Sequence, residues 1–62
     1  GILQQFYLIL PADQQQVFRL SYFKGLSITT IARLLALPEE QINEILGDAM
    51  KSFRQFLKDS WN

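Results

Sequence analysis

The sequence predicts an all-α fold, a small four-helix domain containing a helix-turn-helix. Three observations carry that expectation. Apolar residues recur three or four positions apart through most of the chain, which is the period of an amphipathic helix. Breakers at Pro11, Gly25 and Pro38 divide the chain into four segments. The third and fourth segments are joined by Ala36-Leu37 alone, and a short helix, a tight turn and a longer helix make the helix-turn-helix order. A chain of 62 residues holds one domain, taken here as residues 1–62.

The first segment, Ile2–Leu10, is apolar and contains Phe6 and Tyr7. It reads as the end of a helix, stopped at Leu10-Pro11 because the residue before proline disfavours the α region. The second runs from about Ala12 to Lys24, with Pro11 suited to its first turn and Asp13 to the positive end of its dipole. Val17, Phe18, Leu20 and Tyr22 or Phe23 supply its apolar face, and Gly25 is a left-handed stop. The third begins at Ser27, a good N-cap, and places Ile28, Ile31, Ala32, Leu34 and Leu35 at helical spacing over about two turns. The fourth begins at Pro38, with Glu39 and Glu40 in its first turn. Ile42, Leu46, Ala49, Phe53 and Leu57 form one stripe along it. Gly47 lies inside this helix at a cost of about 1 kcal/mol relative to alanine.

Composition excludes several classes of function. The chain has no cysteine and no histidine, which removes disulfides, thiolate metal sites, imidazole catalysis and the usual zinc sites. No nucleophile–base pair, metal-ligand spacing or phosphate-cradling glycine loop occurs, so neither an enzyme nor a cofactor is expected. The 48% apolar content is too high for a disordered chain, yet no run approaches a membrane span, and Ile2–Leu10 lacks the basic leader of a signal peptide. With no initiator methionine, and a glycine such as cloning leaves at position 1, the chain reads as part of a longer protein. Its expected compartment is the cytoplasm. Six basic and six acidic residues balance, whereas a free-standing DNA-binding domain is usually basic.

Ala32, Ala36 and Ile42 are spaced to let the third and fourth helices cross closely at Ala32 while Ile42 locks the fourth onto the core. An ordinary helical hairpin with alanine at the crossing fits the same spacing. The five phenylalanines, Phe6, Phe18, Phe23, Phe53 and Phe56, are expected in the core.

Leu10-Pro11, Val17-Phe18, Leu20, Tyr22, Gly25-Leu26-Ser27, Ile31-Ala32, Leu35 and Ile42, followed by Leu46 and Ala49, together resemble region four of bacterial sigma factors. The extracytoplasmic-function type is the closest, and the resemblance runs from about Leu10 to Leu57. It implies a compact helical domain whose last helix enters the major groove of the minus-thirty-five promoter element in transcription initiation. It also implies contact with the flap of RNA polymerase. On that basis the segment from Pro38 to about Met50 would be the recognition helix and Ser27 to Leu35 the supporting helix, with no catalytic role.

The polar residues depart from the family's pattern. Asn43, Ile45 and Asp48 stand where basic residues are common, and Glu44 replaces a small serine. Asp13 and Gln15 occupy positions that are often arginine. Ala36 replaces the turn glycine, Pro38 the capping serine, and Thr30 the acid that would complete a capping box with Ser27. From Pro38 to Asp48 there is no lysine or arginine, against the acids Glu39, Glu40, Glu44 and Asp48. At about 100° per residue, Glu40, Glu44 and Asp48 point away from the Ile42 stripe, toward where a groove would lie. Duplex affinity comes largely from cations neutralising phosphates, so these acids would repel DNA. An acid accepting from cytosine, or Gln41 or Asn43 reading adenine, would offset this. A plainer role for the acids is to complement the helix dipole, as Lys51, Arg54 and Lys58 do at the other end.

The candidate DNA-contacting residues are therefore Arg33, Glu39, Glu40, Gln41, Asn43, Glu44, Lys51 and Arg54. The candidate protein-contacting residues are Ile45, Phe6, Tyr7 and Trp61. Ile45 either widens the core stripe or is an exposed apolar residue on the reading face. Two functions compete, beside a third possibility of a structural helical fragment with no independent activity. One is promoter recognition, with duplex promoter DNA and RNA polymerase as partners. The other is a protein-interaction module on the same fold, meeting polymerase, an anti-sigma protein or a second copy in a homodimer, with DNA binding weakened or lost. No membrane partner is expected.

Overall fold

The computed structural model describes residues 1–60, and the expectation for Trp61 lies outside them. Four helices form, with no strand among the described residues: α1 (Ile2–Ile9), α2 (Ala12–Phe18), α3 (Ile28–Leu35) and α4 (Glu39–Ser60). The all-α reading holds. Pro11 sits just before α2 rather than inside its first turn, with its carbonyl accepting the Gln15 amide at 2.8 Å.

The second segment differs from the continuous helix expected over 12–24. After Phe18 the backbone widens into a π-helical turn over Arg19–Phe23, closed by the Lys24 amide on the Arg19 carbonyl at 3.1 Å. Gly25 then takes the left-handed conformation (φ 70°), and the Leu26 amide reaches the Leu20 carbonyl at 3.0 Å. Winding in i→i+5 steps shifts the phase of the faces. Leu20 and Leu26 are the residues that pack on the core. Tyr22 and Phe23, one or other of which the spacing puts on the apolar face, are both turned outward, 59% and 50% exposed. Phe23 is thus the one phenylalanine outside the core set, held by edge contacts to Tyr7, Phe18 and Tyr22 at ring-centroid distances of 5.5, 5.8 and 5.9 Å.

The core has two parts. An aliphatic cluster of Val17, Ile31, Ala32 and Ile42 joins α2, α3 and α4. An aromatic cluster is built on Phe6, Leu10, Phe18 and Ala49, with Phe53 and Phe56 packed against it. Phe6 is completely buried, with its ring 5.6 Å from Phe18, 4.9 Å from Phe53 and 5.7 Å from Phe56. These separations lie in the favourable range for tilted and edge-to-face rings. Helix α4 closes both clusters. Its stripe runs from Ile42 through Leu46 and Ala49 to Phe53, as the spacing predicted, but ends on Phe56, which packs against the aromatic cluster in place of the expected Leu57. Its 22 residues span about 33 Å in a molecule of 39 × 19 × 17 Å.

The connection between α3 and α4 is Ala36 to Pro38, one residue longer than expected. The Ser27 hydroxyl oxygen caps α3 by accepting the Thr30 amide at 3.1 Å, and the Ser27 O–H donates to Thr30 Oγ1 at 2.9 Å. Thr30 therefore returns a side-chain contact to the cap where the family's acid would. At the far end Ala36 is left-handed (φ 57°, ψ 43°). The Leu37 amide bonds to the Ala32 carbonyl at 2.9 Å and the Ala36 amide to the Arg33 carbonyl at 3.3 Å. This is the Schellman closure, in which glycine normally avoids a Cβ clash.

Two stability predictions follow from this packing and this turn. Replacing Ala36 by glycine relieves the left-handed strain and is expected to stabilise the domain by about 1 kcal/mol. In thermal denaturation followed by circular dichroism this raises the midpoint by roughly 4–8 °C. Phe6→Ala removes a ring from the centre of the aromatic cluster at a cost of about 3–5 kcal/mol. The same measurement is expected to show a chain that is largely unfolded at room temperature.

Candidate nucleic-acid interface

The α3–turn–α4 pair places its polar residues through its core contacts. Ala32 of α3 and Ile42 of α4 are both buried in the aliphatic cluster, which brings the two helices together at a small side chain. With Ile42 and Ala49 turned fully inward, the opposite side of α4 faces solvent. Glu39, Glu40, Gln41, Asn43, Glu44 and Asp48 are all exposed along its first half. Lys51 and Arg54 are exposed on its second half, and Arg33 is exposed on α3. The candidate DNA-contacting residues thus all reach the surface, seven on α4 and Arg33 on its supporting helix.

The first turn of α4 closes on Pro38. The Pro38 carbonyl accepts the Gln41 and Ile42 amides at 3.0 and 3.2 Å, and Glu39 and Glu40 sit in the first turn, where the helix dipole favours a negative charge. Beside this turn is an open concavity of about 420 Å³, lined by Asp13, Pro38, Glu40, Gln41, Glu44, Ile45 and Asp48. Four carboxylates line it, and no lysine or arginine does. Asp13 comes from α2 and was not among the sequence candidates. Only the packing of α2 against α4 brings it beside the other acids.

Ile45 is half-buried, packed against the aliphatic cluster on one side and lining the concavity on the other. It widens the core stripe and leaves only part of its surface to a partner. Of the other protein-contact candidates, Phe6 is withdrawn completely into the core, because its ring fills the space between α2 and α4. It offers nothing to a partner. Tyr7 is half-buried beside Phe18 and Phe23. The exposed aromatic surface is instead carried by Tyr22, stacked on Phe18 at 5.3 Å, together with Phe23. Sequence periodicity missed this surface because it assumed regular helical winding. Gln15 has a structural task of its own, donating from Nε2 to the Tyr7 carbonyl at 3.1 Å and so tying α2 to the end of α1.

Among the described residues no group of acidic side chains could hold a metal ion. No helix among them is long and apolar enough to cross a membrane. What the arrangement does present is a solvent-facing helix held by a shorter one across a tight turn. This makes the chain a small all-α domain of the helix-turn-helix class. The sequence profile of the family "Sigma-70, region 4" matches residues 9–55, and the chain belongs to that family. Region 4 is associated with recognition of the minus-thirty-five promoter element in transcription initiation and with RNA polymerase. The family is a DNA-binding regulatory one rather than a family of enzymes. No individual curated protein matches the chain.

Proposed function

We propose that this chain is the promoter-reading domain of a sigma factor of the extracytoplasmic-function type, and that its grip on DNA is weak. In this reading α4 enters the major groove with its first turns, and α3 supports it. Arg33, Lys51 and Arg54 hold flanking phosphates. Glu39, Glu40, Gln41, Asn43 and Glu44 face base edges, an acid accepting from cytosine N4 and the amides pairing with adenine. The observation that carries this is the exposed side of α4, fixed in place by Ile42 and Ala32 within a chain of the sigma-70 region 4 family.

Charge sets the strength of binding. Of the four carboxylates around the concavity, Glu40, Glu44 and Asp48 lie on the same half of α4 as the proposed reading residues and Asp13 stands beside them on α2, and repulsion between them and phosphates opposes docking. The concavity and the exposed Tyr22–Phe23 pair also support a second reading, a protein-interaction module that meets polymerase or an anti-sigma protein and has reduced or no affinity for DNA.

Titration of a fluorescent duplex pool at low and moderate salt separates the two. Promoter reading predicts binding whose logarithm falls with the logarithm of salt at a slope of about −2 to −3, corresponding to two or three phosphate grips. Arg33→Glu and Arg54→Glu would each weaken it. Absence of binding at low salt by folded protein rejects autonomous DNA recognition and leaves the protein-interaction reading. In the same titration the double variant Asp13→Asn, Asp48→Asn is expected to bind several-fold more tightly than the parent chain, because two repulsive charges outside the reading set are removed while the buried stripe is untouched.

A further inference from the structure

The outer strip of α4 carries a charge order that DNA reading does not explain. Glu40, Glu44, Gly47, Lys51, Arg54 and Lys58 are all exposed. Their spacing alternates between four and three residues, which keeps them on one strip of the helix, opposite the buried Ile42–Ala49 line. Acids occupy the N-terminal half of the strip and bases the C-terminal half. The order is antisymmetric about the level of Ala49. Glu40 and Lys58 lie equally far from it, as do Glu44 and Arg54, and Gly47 and Lys51.

We propose that this strip binds a second copy of the chain, with the two α4 helices antiparallel about a twofold axis at the level of Ala49. A twofold contact uses the same patch on both subunits, so every pairing occurs twice. Glu40 then meets the partner's Lys58, and Glu44 meets the partner's Arg54. Gly47 meets the partner's Lys51. Parallel pairing in the same register would set acid against acid and base against base, so the charge order fixes the direction as well as the partner.

Three further features fit this occupant. The concavity beside Glu40, Glu44 and Asp48 is walled by Asp13 of α2 and has no basic residue in its lining, so the acidic half of the strip is not neutralised there by a cation of its own chain. A Cβ placed on Gly47 would meet nothing within 4 Å, so the middle of the strip is open and lets the two backbones approach. Like charges share a level only where Asp59 comes opposite the partner's Glu39. Asp59 lies off the strip and accepts a hydrogen bond from Gln55 Nε2 at 2.9 Å.

The strip has no large apolar side chain, so the association is weak and sensitive to salt. It covers the side of α4 that a duplex would need, so self-association and DNA binding exclude one another. The pairing itself does not depend on the promoter-reading proposal.

Sedimentation equilibrium of the 62-residue chain, without DNA, tests it at protein concentrations up to about 1 mM and salt near about 20 mM, with helicity checked by circular dichroism. The expected result is a monomer–dimer equilibrium that shifts to monomer in about 0.5 M salt. Glu44→Lys alone and Arg54→Glu alone each place like charges opposite one another twice per dimer, and each is expected to weaken association by about tenfold or more. The double variant Glu44→Lys, Arg54→Glu exchanges the two signs and restores association to within about threefold of the parent chain. A parent chain that stays monomeric in low salt overturns the proposal. So does a dimer that survives either single substitution, or one that the double variant fails to restore. Since no duplex is present, failure of promoter reading leaves each of these outcomes unchanged.

Discussion

Burial of one stripe on α4 is the constraint on which the rest of the molecule depends. Ile42 and Ala49 are both completely buried, about two turns apart, yet they belong to different clusters. Ile42 closes the aliphatic core that holds α2 and α3, and Ala49 belongs to the aromatic core that holds α1. A single helix must therefore be long enough to span both and must keep its rotation constant between them. That rotation puts Gln41, Asn43, Glu44 and Asp48 at the surface, whatever their chemistry.

This separation lets the skeleton that the family profile matches persist whatever the polar face of α4 carries. The fold depends on Phe6, Val17, Phe18, Ile31, Ala32, Ile42 and Ala49, none of them polar. Side chains on the far face of α4 contribute little to that packing, so their charge can change with little effect on the fold. Where a departure does touch the framework, it is accommodated locally. Gln15, at a position that is often arginine, ties α2 to the end of α1. Thr30, at a position for an acid, accepts from the Ser27 hydroxyl. Ala36 keeps the Schellman hydrogen bonds at the cost of a left-handed alanine.

The electrostatic consequence is concentrated at one end of one helix. Net charge is zero, but it is sorted along α4, acidic at the start and basic toward the end. That order favours the helix macrodipole and works against docking of the N-terminal turns on a polyanion. The same order is self-complementary when the helix is reversed. Dipole stabilisation accounts for the sign of the charge at each end. It does not account for the matched spacing of Glu40, Glu44, Arg54 and Lys58 about the level of Ala49.

The sequence by itself determined the helical class, the four segments, the Ser27 cap, the α4 stripe and the family. Each of these follows from periodicity, from breakers or from side chains acting within a few residues of one another, and such effects are local. Tertiary structure alone decided the matters that depend on which elements face each other. It turned Phe23 and Tyr22 outward, because the π-helical turn after Phe18 gave the core positions to Leu20 and Leu26. It took Phe6 out of reach of any partner by enclosing it between α2 and α4. It also set Asp13 beside Glu40, Glu44 and Asp48, across a gap of more than 25 residues in the chain, because α2 packs along α4.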